Sequence, residues 1–423
     1  SLAGPLEAGL VFVGHGLSIP EAGHDDLAGM DLKGKVVVVL YGHPPGVTGN
    51  LAAHYGASAE RSKAYARAGA VGVLMVTPPK LMEVPWERVV EGRSRPVMML
   101  ADPALRNGAD LSLVGALHPA SMDKLLAGSG HTFEELVSLS EAGKPLPRFA
   151  LPTAVRSEVA LETSRLTSVN VVGRLPGSDA KLAAESVVLT AHLDNVGVGA
   201  PVDGDALYNG AMDNATGVAA LLEVARHFQE KKVRPRRTVL FVAVTAEEKG
   251  LLGSRFFAER PPEGSGRMVA NLNLDMFLPL TPLKHLLAYG REESSLAAPL
   301  KASAARFGVE VLKDPRPEAN SFVRSDQYSF IRQGVPALAF RFGYRKGSPQ
   351  EKLHLTWRRE RYHAPSDDLS QPVDREAAAR FVRLLADLTR RVADAPQRPR
   401  WNKDSFFRRF ERPETPATAQ PVP

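Results

Sequence analysis

From about residue 167 to 392 the chain alternates short apolar runs with helix-length segments, and this alternation restricts the possible folds more than any other feature. The runs ESVVLTAHLD, TVLFVAVT, ANLNLDM, HLLAYG, VEVL and PALAFRF read as strands. Between them, helical patterns occupy 216–230, near 254–259, 294–307, near 326–332 and 375–392. In the first of these, Leu221, Leu222, Val224, Ala225 and Phe228 make one apolar stripe. Strands that are apolar on both faces and separated by helices imply an α/β fold with a mainly parallel, mixed sheet flanked by helices. In such sheets ligands sit beyond the carboxyl ends of the strands.

The first 164 residues have a different texture. Short apolar runs (LVFVG, KVVVVLYG, VGVLMV, RPVMML) alternate with Gly/Pro-rich loops, and a helix is predicted over 62–70, with Gly69 leading into the next strand. This reads as a smaller, β-rich domain. Its histidines (His15, His24, His43, His54, His118 and His131) lack ligand-like spacing. After 395 the composition shifts to Pro, Arg and Thr, which predicts an extended, partly disordered tail over 396–423. Three segments follow: 1–164, 165–395 and 396–423.

The chain contains no cysteine, which excludes disulfides, thiolate metal sites and cysteine nucleophiles together. Any metal must be held by His, Asp and Glu. The net charge is +6, but the basic residues are dispersed and no nucleic-acid-binding motif accompanies them. A solvated basic surface accounts for them, and nucleic acid is not an expected partner. No apolar run approaches the roughly 18–20 residues needed to span a bilayer.

Acidic and imidazole side chains concentrate where strands end. His192 and Asp194 close the first strand of the second block. Asp213 lies in GAMDNATG, Glu247 and Glu248 follow TVLFVAVTA, Asp275 ends ANLNLD, and His363 lies in RYHAPSDD. Each signal is weak alone: His-x-Asp is common, a Glu pair usually starts a solvated helix, and Asp-Asn often caps one. Carboxylates gathered at strand ends away from water call for a cation. Asp, Glu and His without Cys suit zinc, with cobalt or manganese as comparable divalent ions.

The string AHLDNVGVG…GAMDNATG…RRTVLFVAVTAEEKGLLGS…NLNLDM…SDQYSF…GVPAL…YHAPSDD closely resembles the co-catalytic di-zinc aminopeptidases. That clan holds the bacterial leucyl aminopeptidases, glutamate carboxypeptidase and the inactive transferrin receptor, and the likeness covers about 167–392. The first block resembles the protease-associated domain inserted into many members. The resemblance implies a zinc-exopeptidase fold that cleaves the N-terminal peptide bond with a water activated between two zinc ions. His192 and Asp275 would then bind one metal, Glu248 and His363 the other, and Asp213 would bridge both. Glu247 would be the general base and Tyr362 the donor to the tetrahedral oxyanion. Asp194 would orient His192 from behind, and Asp367 would do the same near His363. The implied partners are peptides with a free N-terminus, and the implied location is periplasmic or secreted.

Two departures from the family pattern stand out. Members place a helix and strands ahead of the inserted domain, whereas this chain starts at Ser1 just before it, so that segment is missing or belongs to a separate piece. The common Ser-Asp-His reads Ser325-Asp326-Gln327, taken as a structural junction. Two other functions stay in view. A carboxypeptidase or dipeptidase of the glutamate carboxypeptidase type carries a long helical region after the last ligand, and only about sixty residues follow His363 here. A receptor-like binding protein would have lost ligands, and none is lost.

Overall fold

The computed structural model describes residues 2–47, 49–82, 84–319 and 321–412. They divide into two compact units. The division is not sequential: 95–101 group with the second unit, and 316–323 with the first.

The first unit is built on β1 (Gly4–Val13), β2 (Val36–Leu40), β3 (Gly72–Val76), β4 (Leu113–Leu117) and β5 (Arg148–Val159), in the order β4-β3-β2-β1-β5. All neighbours are parallel except β1 and β5. Strand β2 (VVVVL) is buried throughout because its alternate residues feed two cores. Val36, Val38 and Leu40 enter one, and Val37 and Val39 the other. The helix predicted over 62–70 is α2 (Ser58–Arg67), and α1 (Gly49–Gly56) precedes it, separated from it by the extended Ala57. Gly69, at φ 84°, makes the turn toward β3.

The second unit carries a seven-stranded sheet of β6 (Val171–Leu175), β7 (Glu185–His192), β8 (Thr238–Val244), β9 (Arg267–Asn273), β10 (His285–Tyr289), β11 (Glu310–Leu312) and β12 (Ala337–Phe342). The order is β11-β10-β12-β9-β7-β8-β6. The four central strands, β12-β9-β7-β8, are parallel, while β6 and β10 run antiparallel to their inner neighbours. This is the mixed, mainly parallel α/β sheet that the strand–helix alternation implies. On one face α4 (Thr216–Glu230), α6 (Ala297–Arg306) and α9 (Arg375–Asp394) bury Val224, Leu300 and Phe381 against Leu272 and Phe340. On the other, α5 (Leu252–Glu259) and α7 (Gln327–Ile331) bring Phe257 and Phe330 onto Val188 and Val242.

Two features depart from the sequence reading. A helix α8 (Pro349–Glu360) precedes His363. It buries only His354 and Trp357, too few apolar residues to leave a stripe. Its start is nevertheless written in Ser348-Pro349-Gln350-Glu351, where the Ser348 hydroxyl accepts from the Glu351 N–H at 3.2 Å. The segment 396–412, predicted as an extended tail, is packed instead. Trp401 and Phe407 are buried, and Arg398 pairs with Glu185 at 2.6 Å. Its aromatic residues supply apolar area that a Pro/Arg-rich composition hides. The remainder of the predicted tail, 413–423, lies outside the described residues. No described helix is long and apolar enough to cross a membrane.

Candidate metal centre

The parallel strands deliver the predicted ligands to one edge. His192 is the last residue of β7, in register with Val244 at the end of β8. Glu247 and Glu248 follow in a loop that starts at Ala246 with φ 55°. Asp275 lies two residues past β9. Asp213 sits in a kinked turn, Ala211–Ala215, ahead of α4, where Asp213 (φ −118°, ψ 79°) and Asn214 (φ −142°, ψ 39°) have non-helical backbone. Gly217 permits that turn: a Cβ there would come within 2.3 Å of Asn214 Oδ1 and the Leu274 carbonyl. His363, at φ 53°, follows α8.

The result is two triplets sharing one residue. In His192, Asp213 and Asp275 the candidate ligand atoms all lie within 4.8 Å of one another, and the same holds for Asp213, Glu248 and His363. Asp213 faces both histidines, Oδ1 at 3.3 Å from His192 Nε2 and Oδ2 at 3.4 Å from His363 Nε2. Asp275 Oδ1 is 3.3 Å from His192 Nε2, and Glu248 Oε2 is 2.9 Å from His363 Nε2. All five predicted ligands are thus brought together.

Asp194 and Asp367, predicted to stand behind the histidines, bond the main chain around the site, and Asp194 Oδ1 also lies 4.0 Å from His192 Nδ1. The His192 Nδ1 contacts the main-chain carbonyl of Asp194 at 3.0 Å, leaving Nε2 toward the cluster. The Asp194 carboxylate accepts from the Glu247 and Glu248 N–H groups at 3.0 and 3.2 Å. Asp367 likewise accepts from the N–H groups of Met212 and Asp213 at 2.9 and 3.0 Å. It holds the Asp213 turn, not His363. Sequence reasoning missed Asn214, whose side chain donates to the Leu274 carbonyl at 2.7 Å and accepts from Gly217 N–H at 3.1 Å. Adjacent to Asp213, it ties that turn to the segment carrying Asp275. Tyr362 is stacked on His363 with ring centroids 3.8 Å apart, and the Arg358 guanidinium lies 4.5 Å from its ring centre.

The electrostatics are those of acids crowded around two imidazoles. Burial opposes a charge on His363, yet its hydrogen bonds to Asp213 and Glu248 raise its pKa to about 9. His192 is raised well above its ordinary value against the same penalty, by Asp213 and then Asp275. Burial pushes the Glu247 carboxyl up; His192 opposes, and the charges of Asp275, Asp326 and Glu248 reinforce the rise. Glu248 Oε1 is buried without a hydrogen-bond partner. Free of a cation, such a cluster retains protons that a divalent ion displaces. Six-membered in nitrogen and oxygen donors when Asp213 counts toward both triplets, and lacking sulfur, the set fits zinc in each half.

A parallel-centred α/β sheet thus gathers carboxylates and imidazoles at its carboxyl edge in two groups that could each hold a metal ion. The profile of peptidase family M28 matches residues 170–389, and the chain belongs to that family. A "probable zinc metalloprotease" of Pyrenophora tritici-repentis is 29% identical over 233 residues, covering 47% of this chain and 51% of that protein. A "vacuolar membrane protease" of Schizosaccharomyces japonicus is 36% identical over 106 residues, covering 25% of this chain and 11% of that one. The chain spans about half the length of curated zinc metalloproteases that it matches. Among solved structures, an aminopeptidase from Aneurinibacillus sp. strain AM-1 shares the fold. Its TM-score is 0.50 at 22% identity, over 94% of this chain and 77% of that one.

Proposed function

We propose that this protein is a two-zinc aminopeptidase that removes the first residue of peptides carrying a free α-amine. The observation that carries the reading is Asp213, whose two oxygens face the imidazoles of two separate triplets. His192 and Asp275 would hold one zinc, Glu248 and His363 the other, with Asp213 between them. Zinc held there acts as a Lewis acid toward the scissile carbonyl and acidifies water.

The protein's own groups perform the remaining steps. Glu247 takes the proton from the attacking water and passes it to the leaving amine nitrogen. Its raised pKa suits a group that both accepts and returns a proton. The carboxylates of Glu247 and Asp275 face the substrate's α-ammonium. The Tyr362 phenol is held protonated: burial pushes its pKa up, Arg358 opposes, and the Asp213 and Glu248 carboxylates reinforce the rise. It can therefore donate to the oxyanion that develops on the carbonyl. Asp194 and Asp367 keep the Glu247–Glu248 loop and the Asp213 turn in place.

In this reading residues 1–164 form a protease-associated domain and 165–395 the catalytic domain. Cobalt or manganese can replace zinc, and the protein works in the periplasm or outside the cell. The test is zinc analysis alongside hydrolysis of aminoacyl nitroanilides with free and acetylated α-amines. About two zinc ions per chain, and turnover confined to the free amines, are expected. Equal turnover of the acetylated substrates would overturn the aminopeptidase assignment.

A further inference from the structure

Arg341 lies on the edge of the sheet that carries the metal centre and takes no part in the function described so far. Strand β12 runs parallel to β9 with Asn271, Leu272 and Asn273 opposite Ala337, Leu338 and Ala339. Beyond Asn273 the chain leaves β9, passes through left-handed Met276 and rejoins β12 where the Phe277 carbonyl accepts from the Phe342 N–H at 2.8 Å, so Arg341 borders the segment that carries Asp275. Leu338, Phe340 and Phe342 enter the core below the sheet. By alternation Arg341 points to the opposite face, the one Asn273 shares. Tyr289, opposite Ala339 on β10, places its ring centre 6.0 Å from the guanidinium carbon. Asp275 and Tyr362 are both within electrostatic reach.

Among the described residues this cation makes no direct ion pair, and its Nε is buried with no hydrogen-bond partner. The fully buried Arg237 shows the usual solution: its Nε donates to Glu185 at 2.7 Å, and its Nη1 bonds main-chain carbonyls. Beside Arg341 stands His354, 4% exposed, with both ring nitrogens unpartnered. Burial, with the Arg341 charge added, pushes this imidazole down to about 4. It is therefore neutral and cannot balance the guanidinium. A charge withdrawn from water and left uncompensated is costly. Yet Arg341 is only half-buried, so a solute can reach it.

We infer that Arg341 is a specificity-determining residue that binds a carboxylate of the substrate next to the scissile bond. This rests on the peptidase reading above. A guanidinium fork matches a carboxylate in a bidentate pair. The carboxylate has two possible sources: the side chain of an acidic residue at the N-terminus, or the C-terminus of a dipeptide.

Three peptides separate them: Ala-Ala-amide (no carboxylate), Ala-Ala (C-terminal carboxylate) and Glu-Ala-amide (side-chain carboxylate). In the zinc-loaded parent one of the two carboxylate peptides should exceed Ala-Ala-amide in kcat/KM by about ten- to a hundredfold, the worth of a charge-assisted pair. The favoured peptide identifies the source. Arg341→Met should abolish that advantage, leave Ala-Ala-amide turnover unchanged and not lower Tm, because no native ion pair is lost. Arg341→Lys, which keeps the charge without the fork, should retain part of the advantage and provides the test if the Met variant does not fold. No preference in the parent, or a preference that survives Arg341→Met, overturns the inference. If the parent hydrolyses none of the three, the aminopeptidase reading fails. Calorimetric binding of Ala-Ala and Glu-Ala-amide then decides the subsite: binding lost in Arg341→Met supports it, and binding that is absent or unaffected overturns it.

Discussion

The two triplets of the metal centre use the same kinds of side chain but are held differently. In the first, His192 ends a central strand and Asp275 follows its parallel neighbour; His192 and Asp213 are buried. In the second, Glu248 and His363 both come from loops and are half-buried, and each loop passes through a left-handed residue, Ala246 or His363 itself. One half of the site is therefore fixed by the sheet ladder, while the other depends on hydrogen bonds that hold loops. Strand-borne groups are positioned by the most stable part of a fold, and loop-borne ones open at lower free energy. The two halves should differ in how firmly they keep an ion, although their donors are alike.

The sharpest way to break this comparison is to remove the residue both halves share. Asp213→Asn should reduce zinc from two ions per chain to none and take activity below detection, measured by elemental analysis and nitroanilide hydrolysis. One ion retained at full affinity would show that the strand-held half stands without the bridge. Glu247→Gln comes next. It should keep both ions and lose about 10²–10⁴-fold in kcat, the worth of a positioned acid–base group. Loss of an ion would make Glu247 a ligand.

His192→Ala and His363→Ala sharpen the contrast itself. Each should lose about one ion. In the parent, a chelator titration should strip the loop-held ion first, at a free-zinc level about 10–100-fold higher, the range over which supporting contacts tune metal affinity. Simultaneous loss would mean that the two halves behave as one. The smallest effect is the pH response. Zinc must displace the proton that His363 holds up to about pH 9, so its affinity should rise by about tenfold per pH unit between 7 and 9. For the metal-free protein the sign reverses. A raised folded-state pKa gives stability that is complete below the ordinary value near 6.5 and is lost as pH rises through about 9. Tm of the metal-free protein should fall over that window, and a flat profile would remove His363 from the account.

The central strands and the residues of the two triplets were legible because both are carried by local pattern. Apolar runs mark strands, and an acid or imidazole at the end of each run marks the edge where ligands gather. The roles of Asp194 and Asp367 were not. Each carboxylate is satisfied by N–H groups far along the chain, 53 or 54 residues away for Asp194 and 154 or 155 for Asp367. No spacing rule expresses such a contact. Helix α8 was missed because it buries so little, although its capping residues were visible. Arg341 sits in the strand run PALAFRF, where nothing in the local sequence marks it. Its lack of a direct ion-pair partner among the described residues is a property of the folded sheet.

The carboxylate of Glu185 joins distant parts of the chain. It opens the strand that ends in His192 and receives two guanidiniums, from Arg237 at the start of β8 and from Arg398 beyond the last long helix. Trp401 meanwhile donates to the Gly334 carbonyl, just ahead of β12. The packed part of the second unit therefore extends past the family match, which stops at 389, and takes in at least Trp401 and Phe407. A chain cut at 395 would lose one of the two cations on Glu185 and uncover Trp401's contacts, weakening at its base the strand whose far end presents His192.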